Sequence, residues 1–289
     1  MAIIVDRETK LLVQGLTGSE GSFHGLRNKN YGTQVVAGVT PGKGGQELEG
    51  IPVFDTVADA VAETGANTTM VFVPARFAAD AIYEAVDAGI ATVICIAEGL
   101  PAHEMLRIYT YIRPKGVTML GPNCPGALSP GKANVGIIPA EIFAEGNIGL
   151  VSRSGTLTYQ IGHELTQMGL GNSTIVGIGG DPVVGSSFID VLERFEADPQ
   201  TEYVVMVGEI GGDEEEKAAS FIEGKMTKPV VAYIAGFTAP PGKTMGHAGA
   251  IISGSSGTAQ GKKDALEAKG IRVGTSPTEA AELVAELAK

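Results

Sequence analysis

Short runs of β-branched residues alternate with segments of helical period along almost the whole chain, and this alternation constrains the fold most. Each run has the length of one buried strand, and each intervening segment is long enough for one helix. Strand–helix–strand units of this kind form parallel sheets, because two parallel strands need a long crossover between them. The sequence therefore predicts an α/β fold.

The strand candidates fall into two blocks. The first block predicts strands at Lys10–Gln14, Gln34–Val39, Thr69–Val73, Thr92–Ile96 and Val117–Leu120. The second block predicts strands at Ile148–Val151, Thr174–Ile178, Tyr203–Val207, Val230–Ile234 and Ile271–Gly274. Helices are predicted to begin near Ser19, Thr56, Arg76, Pro101, Ser154, Ser186, Asp213, Thr258 and Pro277.

The segment Gly121–Asn147 separates the two blocks and is rich in Pro and Gly. Its first part, PNCPGALSPGKANVG, is too interrupted to form one regular element. The chain has 289 residues, which exceeds the usual length of a single domain. We therefore place a domain boundary near residue 125, which gives domains 1–125 and 126–289.

Composition limits the classes of partner. The formal net charge of −12 argues against nucleic acid, because binding to a phosphate backbone needs a basic face. No apolar run approaches the roughly 20 residues that span a bilayer. The N-terminal sequence MAIIVDRETK is too short and too charged for a signal peptide. We expect a cytoplasmic protein that does not bind a membrane.

The chain has two cysteines, Cys95 and Cys124. Two cysteines do not make a disulfide framework, and their spacing does not match a metal site, so no metal is expected in this chain. Cys95 lies in an apolar run and is interpreted as a buried strand residue. The turn around Cys124 leaves its role open between simple packing and a position near the active site.

A glycine-rich turn follows the first predicted strand. It reads Gly15-Leu-Thr-Gly18-Ser-Glu-Gly21 and opens a predicted helix, whose free N–H groups and dipole favour an anion. The spacing G-x-x-G-x-x-G differs from the dinucleotide fingerprint, so the motif alone is a weak signal. A NAD site would also need an acidic residue about 20 residues further on. The second strand instead leads into a loop with Lys43, which favours a phosphorylated, nucleotide-like ligand such as CoA.

Of the four histidines, His24, His103 and His163 lie in predicted helices and are interpreted as structural or surface residues. His247 differs because it lies between glycines in a loop, Gly246-His-Ala-Gly-Ala250, after an apolar strand. Imidazole is a competent nucleophile near neutral pH. No Ser or Cys motif for acyl transfer accompanies it, which argues against a hydrolase triad.

Two further features could serve this histidine. Glu209 ends a predicted strand, at the sheet edge where ligands of α/β proteins gather, and its carboxylate could orient one imidazole nitrogen. A second predicted helix begins at Ser154 and Gly155, directly after a strand. Its first N–H groups could receive a phosphoryl group. The alternative for Ser154 is a plain helix cap.

These motifs together resemble the α subunits of succinyl-CoA synthetases. The sequences concerned occur in order along the chain, namely GLTGSE from Gly15, GVTPGKGG from Gly38, GPNCPG from Gly121, VSRSGTLTY from Val151 and GHAGA from Gly246. The resemblance implies a Rossmann-like CoA-binding domain followed by a flavodoxin-like ligase domain. It also implies CoA contacts from Thr17, Gly18, Ser19, Glu20, Lys43, Ile96, Ala97 and Glu98.

The resemblance further implies the chemistry. His247 would be phosphorylated, Glu209 would position it, Tyr159 would contact succinate, and Ser154 and Gly155 would open the helix that stabilises the phosphohistidine. The phosphoryl group would pass to succinate, and the CoA thiol would displace it from succinyl phosphate. The nucleotide, with Mg²⁺, would bind to a separate β subunit, as ADP/ATP or GDP/GTP. CoA would be a substrate, and no tightly bound cofactor is expected in this chain.

Three alternatives remain open on sequence alone. A sister ligase could use malate or another acid, because acid choice depends on few residues. A CoA-sensing protein without catalysis would need the His247 loop only as a tight turn. A NAD-dependent oxidoreductase would bind its cofactor better after Lys43→Glu, whereas we expect that change to weaken CoA binding. The assembly, αβ or (αβ)₂, is also undetermined.

Overall fold

The computed structural model describes residues 2–240, 242–252 and 257–288, and these residues form two sheets. The first sheet has the order β3-β4-β2-β1-β5-β6-β7. Its strands are β1 (Lys10–Gln14), β2 (Gln34–Val39), β3 (Glu47–Leu48), β4 (Ile51–Phe54), β5 (Thr68–Val71), β6 (Thr92–Cys95) and β7 (Thr118–Leu120). All neighbours are parallel except β3 and β4. Without β3, the order is the doubly wound 3-2-1-4-5-6 arrangement of Rossmann folds, so the predicted fold of this half is confirmed.

Alternate side chains of the first sheet point to opposite faces and pack into two different apolar clusters. Leu11 and Val13 belong to one buried cluster, and Leu12 between them belongs to another, as the two-residue period of a strand requires. The second cluster also includes apolar residues of three helices, α2 (Val57–Thr64), α3 (Ala75–Asp87) and α4 (Ala102–Ile112). Helix α1 (Ser19–Tyr31) follows the glycine-rich turn, and a 3-10 turn at Arg113–Lys115 follows α4.

The second sheet has the order β14-β13-β12-β10-β11-β8-β9. Its strands are β8 (Gly126–Ser129), β9 (Ala133–Gly136), β10 (Glu145–Ser152), β11 (Asn172–Gly177), β12 (Tyr203–Glu209), β13 (Val230–Ala235) and β14 (Arg272–Gly274). Five of them, β10 to β14, are parallel in the order 2-1-3-4-5 of flavodoxin-like sheets. The predicted fold of the second half is therefore also confirmed.

Helices lie on both faces of the second sheet. They are α5 (Gly155–Gln167), α6 (Phe188–Ala197), α7 (Glu214–Lys225), α8 (Ala259–Glu267) and α9 (Pro277–Leu287). Local chemistry explains several of the starts, because Ser154, Ser187, Thr258 and Ser276 each accept a hydrogen bond from a backbone N–H in the first turn. The predicted helix starts agree with the structure to within about two residues.

The sequence missed elements in two places. The strands β3 and β4 were not predicted; β3 has two residues, too few to show a period. No elements were predicted within the segment Gly121–Asn147, whose first part was judged too interrupted to form one element; it contains the antiparallel hairpin β8–β9, a 3-10 turn at Ala140–Ile142 and the start of β10. Strand β8 of this segment pairs with β11. The glycines that interrupt the hydrophobic pattern of the segment therefore lie within a sheet.

The two sheets pack against each other through a shared apolar cluster. Met70, Ile94 and Leu120 of the first sheet belong to the same buried cluster as Val151 and Val176 of the second. Polar contacts fix the junction as well. Thr33 Oγ1 donates to the Asn134 carbonyl over 2.8 Å, Ser129 Oγ to the Val5 carbonyl over 2.7 Å, and Ser186 Oγ to the Met119 carbonyl over 2.7 Å. Among the described helices, none is both long and apolar enough to cross a membrane.

Candidate active site

A cavity of about 730 Å³ lies where strands β1, β2 and β5 of the first sheet end. Strands β1 and β5 flank the point at which the strand order reverses, and ligands of doubly wound sheets bind at such a point. The cavity wall combines the glycine-rich turn with apolar side chains that follow β5. The lining includes Gly15, Thr17, Gly18, Thr40, Lys43, Phe72, Val73, Pro74, Phe77 and Ala81.

The glycine-rich turn presents the start of α1 to this cavity. The Gly18 N–H donates to the Gly15 carbonyl over 3.0 Å, which closes the turn, and α1 begins at the next residue, Ser19. The first N–H groups of a helix have no partner inside it and can bind an anion. Thr17 and Thr40 approach within 3.1 Å through their hydroxyls, which ties this turn to the loop that carries Lys43.

The cavity includes three of the eight residues predicted to contact CoA, namely Thr17, Gly18 and Lys43. The exposed residues Ser19 and Glu20 lie at the start of α1, outside the lining. Ile96, Ala97 and Glu98 follow β6 and also lie outside it. Their contacts with CoA stay predictions.

The apolar wall of the cavity was missed from the sequence. Phe72, Val73, Pro74 and Phe77 follow β5 in the chain, and their apolar character resembled an ordinary strand end. The available signal was topological, because the strand order 3-2-1-4-5-6 of a Rossmann-like sheet places β5 beside β1, and the end of β5 must then lie beside the glycine-rich turn.

A histidine–carboxylate pair lies at the equivalent edge of the second sheet. His247 Nδ1 is 2.6 Å from Glu209 Oε2, although 38 residues separate them. Glu209 ends β12 and its side chain is 7% exposed, whereas the His247 side chain is 24% exposed. A carboxylate accepts a hydrogen bond from Nδ1–H, and in that tautomer Nε2 carries a lone pair. The arrangement can therefore present a nucleophilic imidazole nitrogen.

Arg153 lies beside this pair. It directly follows β10, which neighbours β12 at the point where the order of the second sheet reverses. Its Nε lies 3.2 Å from Glu209 Oε1, and its terminal nitrogen donates to the Asp181 carbonyl over 3.0 Å. Two adjacent strand ends thus bring a guanidinium to the oxygen of Glu209 that does not contact His247.

The backbone of Gly180 supports the His247 ring. A Cβ at position 180 would lie 2.3 Å from His247 Cγ, so glycine is required for the ring to lie there. The Gly180 N–H donates to the Asn123 carbonyl over 3.2 Å, and Asn123 Nδ2 donates to Asp181 over 3.1 Å. The Asn123 N–H in turn donates to the Ala97 carbonyl over 3.1 Å. Backbone contacts therefore connect the loop after β6 in the first sheet to the histidine.

Electrostatics favour a proton on the histidine pair. The hydrogen bond to Glu209 raises the pKa of His247, against burial and the positive charge of Arg153, which lower it. Burial raises the pKa of Asp181, and the negative charge of Glu98 adds to that effect. The site thus combines a half-buried imidazole with carboxylates and one guanidinium.

Helix α5 begins beside Arg153 as predicted. The Ser154 hydroxyl accepts from the Leu157 N–H over 3.4 Å and so caps the helix, and Gly155 is its first residue. The cap interpretation of Ser154 therefore holds, and it is compatible with anion binding at the first N–H groups. Tyr159 is half-buried on α5, and burial raises its pKa to about 12. Its contact with succinate stays a prediction.

The structure places both cysteines in the interior. Cys124 Sγ donates to the Cys95 carbonyl over 3.4 Å at the junction of the sheets. Burial raises the pKa of the Cys124 thiol well above its usual range and that of Cys95 to about 12. A buried thiol with a raised pKa is a weak nucleophile, so the packing role for Cys124 is favoured.

Comparison with known proteins adds the family. The CoA binding domain family matches residues 6–99, and the CoA-ligase family matches residues 151–272. The chain is 61% identical over 287 residues to succinate–CoA ligase (ADP-forming) subunit alpha 2 of Archaeoglobus fulgidus, covering 99% of this chain and 100% of that protein. The chain belongs to the succinate–CoA ligase α-subunit family.

A second member of the succinate–CoA ligase α-subunit family, from Aquifex aeolicus, is 60% identical over 291 residues, which cover 100% of this chain and 95% of that protein. The family resemblance drawn from the five motifs is therefore confirmed.

Solved structures share the fold. An ATP citrate lyase from Methanothrix soehngenii, in complex with citrate and coenzyme A, matches with a TM-score of 0.89 and 26% identity. The match covers 99% of this chain and 50% of that one, so this chain spans about half the length of the lyase chain. A dinucleotide-forming acetyl-coenzyme A synthetase 1 from Ca. Korarchaeum cryptofilum matches with a TM-score of 0.74 at 23% identity, covering 96% of this chain and 60% of that one, which indicates a common fold alone.

Proposed function

We propose that this chain is the α subunit of a succinate–CoA ligase of the citric acid cycle. It joins succinate and CoA reversibly at the expense of a nucleoside triphosphate, and His247 carries the phosphoryl group between substrates. The observation that carries the proposal is the 2.6 Å contact between His247 Nδ1 and Glu209, at a strand end where the ring keeps 24% of its surface exposed.

The first step is phosphorylation of His247. Glu209 accepts a hydrogen bond from Nδ1–H, so the lone pair on Nε2 is free to attack the terminal phosphorus of the nucleotide. The N–P bond forms, the P–O bond to the leaving nucleoside diphosphate breaks, and the ring gains positive character. The Glu209 carboxylate then stabilises that charge. The start of α5 at Ser154 and Gly155 supplies N–H groups that can receive the transferred group.

The next two steps regenerate the histidine. A carboxylate oxygen of succinate attacks the phosphorus, the N–P bond breaks, and the electron pair returns to Nε2, giving succinyl phosphate. The CoA sulfur then attacks the acyl carbon after loss of its proton, the C–O bond breaks, and phosphate leaves. Tyr159 on α5 is proposed to contact succinate during these steps.

CoA is proposed to bind at the first sheet. The cavity of about 730 Å³ has a size typical for a cofactor-sized ligand. The start of α1, with Thr17, Gly18, Ser19 and Glu20, and the exposed Lys43 would hold its phosphates. The Ala97 carbonyl accepts from the Asn123 N–H, and the Asn123 carbonyl accepts from the Gly180 N–H behind the His247 ring, so we propose that the loop Ile96–Glu98 contacts CoA on the path to His247. Residues 1–125 and 126–289 would thus divide CoA binding from phosphoryl transfer.

The nucleotide and its Mg²⁺ are proposed to bind to a partner β subunit. In the described part of this chain, no group of three or more His, Cys, Asp or Glu side chains is arranged to hold a metal ion. The curated relatives are named as alpha subunits and as ADP-forming, which supports a β partner and favours ADP over GDP. We propose a cytoplasmic assembly, αβ or (αβ)₂.

The malate-ligase alternative has less support. Relatives at 52–61% identity over nearly the full chain carry succinate in their names. With the chain purified together with its β subunit, succinate should give much higher turnover than malate or acetate. Preferential turnover of malate would contradict the choice of succinate as the substrate, but it would not contradict phosphorylation of His247.

Exchange of the histidine tests the carrier itself. His247→Asn should abolish succinyl-CoA formation, because asparagine has no nucleophilic nitrogen. His163→Asn is the matched control, since His163 is exposed and lies in the second half of α5. Activity that survives His247→Asn would refute the proposed function.

A further inference from the structure

Arg153 is a buried cation with two anchors. The residue is 8% exposed, its terminal nitrogen donates to the Asp181 carbonyl over 3.0 Å, and its Nε lies 3.2 Å from Glu209 Oε1. Arg153 Nε and Glu209 Oε1 are not oriented for a hydrogen bond, so these two buried atoms interact as opposite charges. Arg153 therefore contacts Glu209 on the oxygen opposite to the one that contacts His247.

A second buried ion pair lies behind Glu209. Glu215 at the start of α7 and Lys262 on α8 are both fully buried and contact each other. Glu215 Oε1 accepts from the Glu209 N–H over 3.1 Å, and Lys262 Nζ donates to the Gly211 carbonyl over 2.5 Å. These contacts fix the backbone around Glu209. Among the described residues, Arg153 and His247 are the basic groups that contact its carboxylate.

We propose that Arg153 is a positioning residue for phosphoryl transfer, which holds the Glu209 carboxylate against the Nδ1 side of the His247 ring; this rests on the proposed phosphohistidine. The carboxylate can orient the ring only while its own rotation is restricted. The backbone of Glu209 is fixed by Glu215, and Arg153 supplies the restraint on the side chain. Its anchor at the Asp181 carbonyl also keeps Gly180 and Asp181 behind the ring.

Removal of the guanidinium would leave Glu209 Oε1 buried without a cation. A buried carboxylate in that state takes up a proton more readily. The protonated carboxyl is a weaker acceptor for His247 Nδ1–H, so Nε2 is less firmly fixed towards the phosphorus. Loss of an orienting partner of this kind reduces activity by about 10- to 100-fold.

The same change should alter the pH dependence. The charged groups facing His247 are Glu209 from β12, Arg153 after β10 and Asp181 after β11, with Glu98 beyond Asp181. Arg153 lowers the pKa of His247, so its neutralisation makes the Glu209–His247 pair take up a proton at higher pH. Because the nucleophile is the neutral ring, phosphorylation should then reach half its maximum at a higher pH.

Two variants separate charge from geometry. Arg153→Gln removes both, so it should lower the maximal rate of His247 phosphorylation about 10- to 100-fold and shift the pH midpoint upward. Arg153→Lys keeps the charge but lacks the second nitrogen needed to reach both Glu209 and the Asp181 carbonyl. It should retain a midpoint near that of the native chain and still lose maximal rate. Arg272→Gln, which breaks the exposed pair with Glu286, is the control.

The experiment is a single-turnover phosphorylation of the αβ complex with labelled ATP and Mg²⁺ across a pH series. Native rates in Arg153→Gln would refute the proposal, and so would a rate loss with an unchanged midpoint, which indicates a structural role only. If Arg153→Gln does not assemble, a native maximal rate in Arg153→Lys refutes the geometric claim.

Failure of the proposed function would look different, since the native complex would then carry no label on His247. In that event an NMR titration of the histidines in the full chain still tests Arg153. The His247 midpoint should be higher in Arg153→Gln than in the native chain, and an equal or lower midpoint contradicts the inference.

Discussion

The carboxyl edges of the two sheets occupy equivalent places in two doubly wound folds, but they are built differently. At the first edge, around the cavity, the polar contribution comes from backbone turns and from exposed side chains such as Lys43. At the second edge, Glu209 and Arg153 are buried and make direct charge contacts. The first edge resembles a site that holds a ligand, and the second a site that orients a reacting group.

The physical reason lies in tolerance to displacement. Binding of a flexible ligand through backbone N–H groups and an apolar wall survives small shifts of single side chains. Nucleophilic attack requires the reacting atoms to be held near their productive geometry, and errors of about 1 Å cost about 100-fold in rate. Buried charge pairs restrict side chains in this way, although they add little net stability. The comparison predicts that variants at the two edges fail in different assays.

The largest expected effect concerns the ion pair behind the second edge. Lys262→Met leaves Glu215 as an unpaired carboxylate in the interior and should lower the free energy of unfolding by about 3–5 kcal/mol. Lys269→Met, which breaks the exposed pair with Glu223, is the control and should cost less than about 1 kcal/mol. Denaturant titration of the full chain measures both, and equal effects would contradict the distinction between buried and exposed pairs.

Glu209→Gln should affect chemistry more than binding. Glutamine can still accept a hydrogen bond from Nδ1–H but lacks the charge that stabilises the phosphorylated ring, so phosphorylation should slow about 100-fold, or about 2.7 kcal/mol. The affinity for CoA, measured by calorimetry, should stay unchanged. Glu286→Gln on the exposed face of α9 serves as the control. A loss of CoA affinity in Glu209→Gln would contradict the claim that CoA binding and phosphoryl transfer depend on different edges.

Gly180→Ala tests the support behind the ring. The added methyl would lie 2.3 Å from His247 Cγ, so the ring must move away from its place beside Glu209. Overpacking of this kind costs about 1–3 kcal/mol, and we expect a roughly 30-fold lower phosphorylation rate. Gly224→Ala is a suitable control, because a Cβ there meets no atom within 4 Å. A native rate in Gly180→Ala would show that the ring position is not constrained by this backbone.

Lys43→Ala probes the first edge and should have the smallest effect. Lys43 is exposed, so the loss of its charge should weaken CoA binding only about five- to tenfold, and less at high salt. Phosphorylation of His247 by the nucleotide should stay native, and Lys225→Ala provides the control for a lost surface charge. A phosphorylation defect in Lys43→Ala would mean that the two edges are more tightly coupled than the contacts through Asn123 imply.

Most of the fold could be predicted because its signals are local. Runs such as Gln34–Val39 carry β-branched residues, and caps such as Ser276 mark helix starts within a few residues. The hairpin β8–β9 was missed because its glycines are accommodated by pairing with β11, a contact distant in sequence. Strand β3 is too short to show a period.

The site was predictable only in part. His247 and Glu209 were predicted as site residues because one is a histidine between glycines in a loop and the other a carboxylate at a strand end, and the structure brings their side chains into contact. The contact of Arg153 with Glu209 was missed, since it depends on β10 and β12 being neighbours in the sheet. The pair of Glu215 and Lys262 joins two helices across 47 residues, and no local pattern indicates it.

The most direct test of the account is to locate the phosphoryl group. The native αβ complex, incubated with labelled ATP and Mg²⁺ and digested under alkaline conditions, should yield one labelled peptide with acid-labile phosphate on His247. Addition of succinate and CoA should then remove the label as succinyl-CoA forms. Label on another residue, or label on His247 that persists through succinyl-CoA formation, would contradict a carrier role for this histidine.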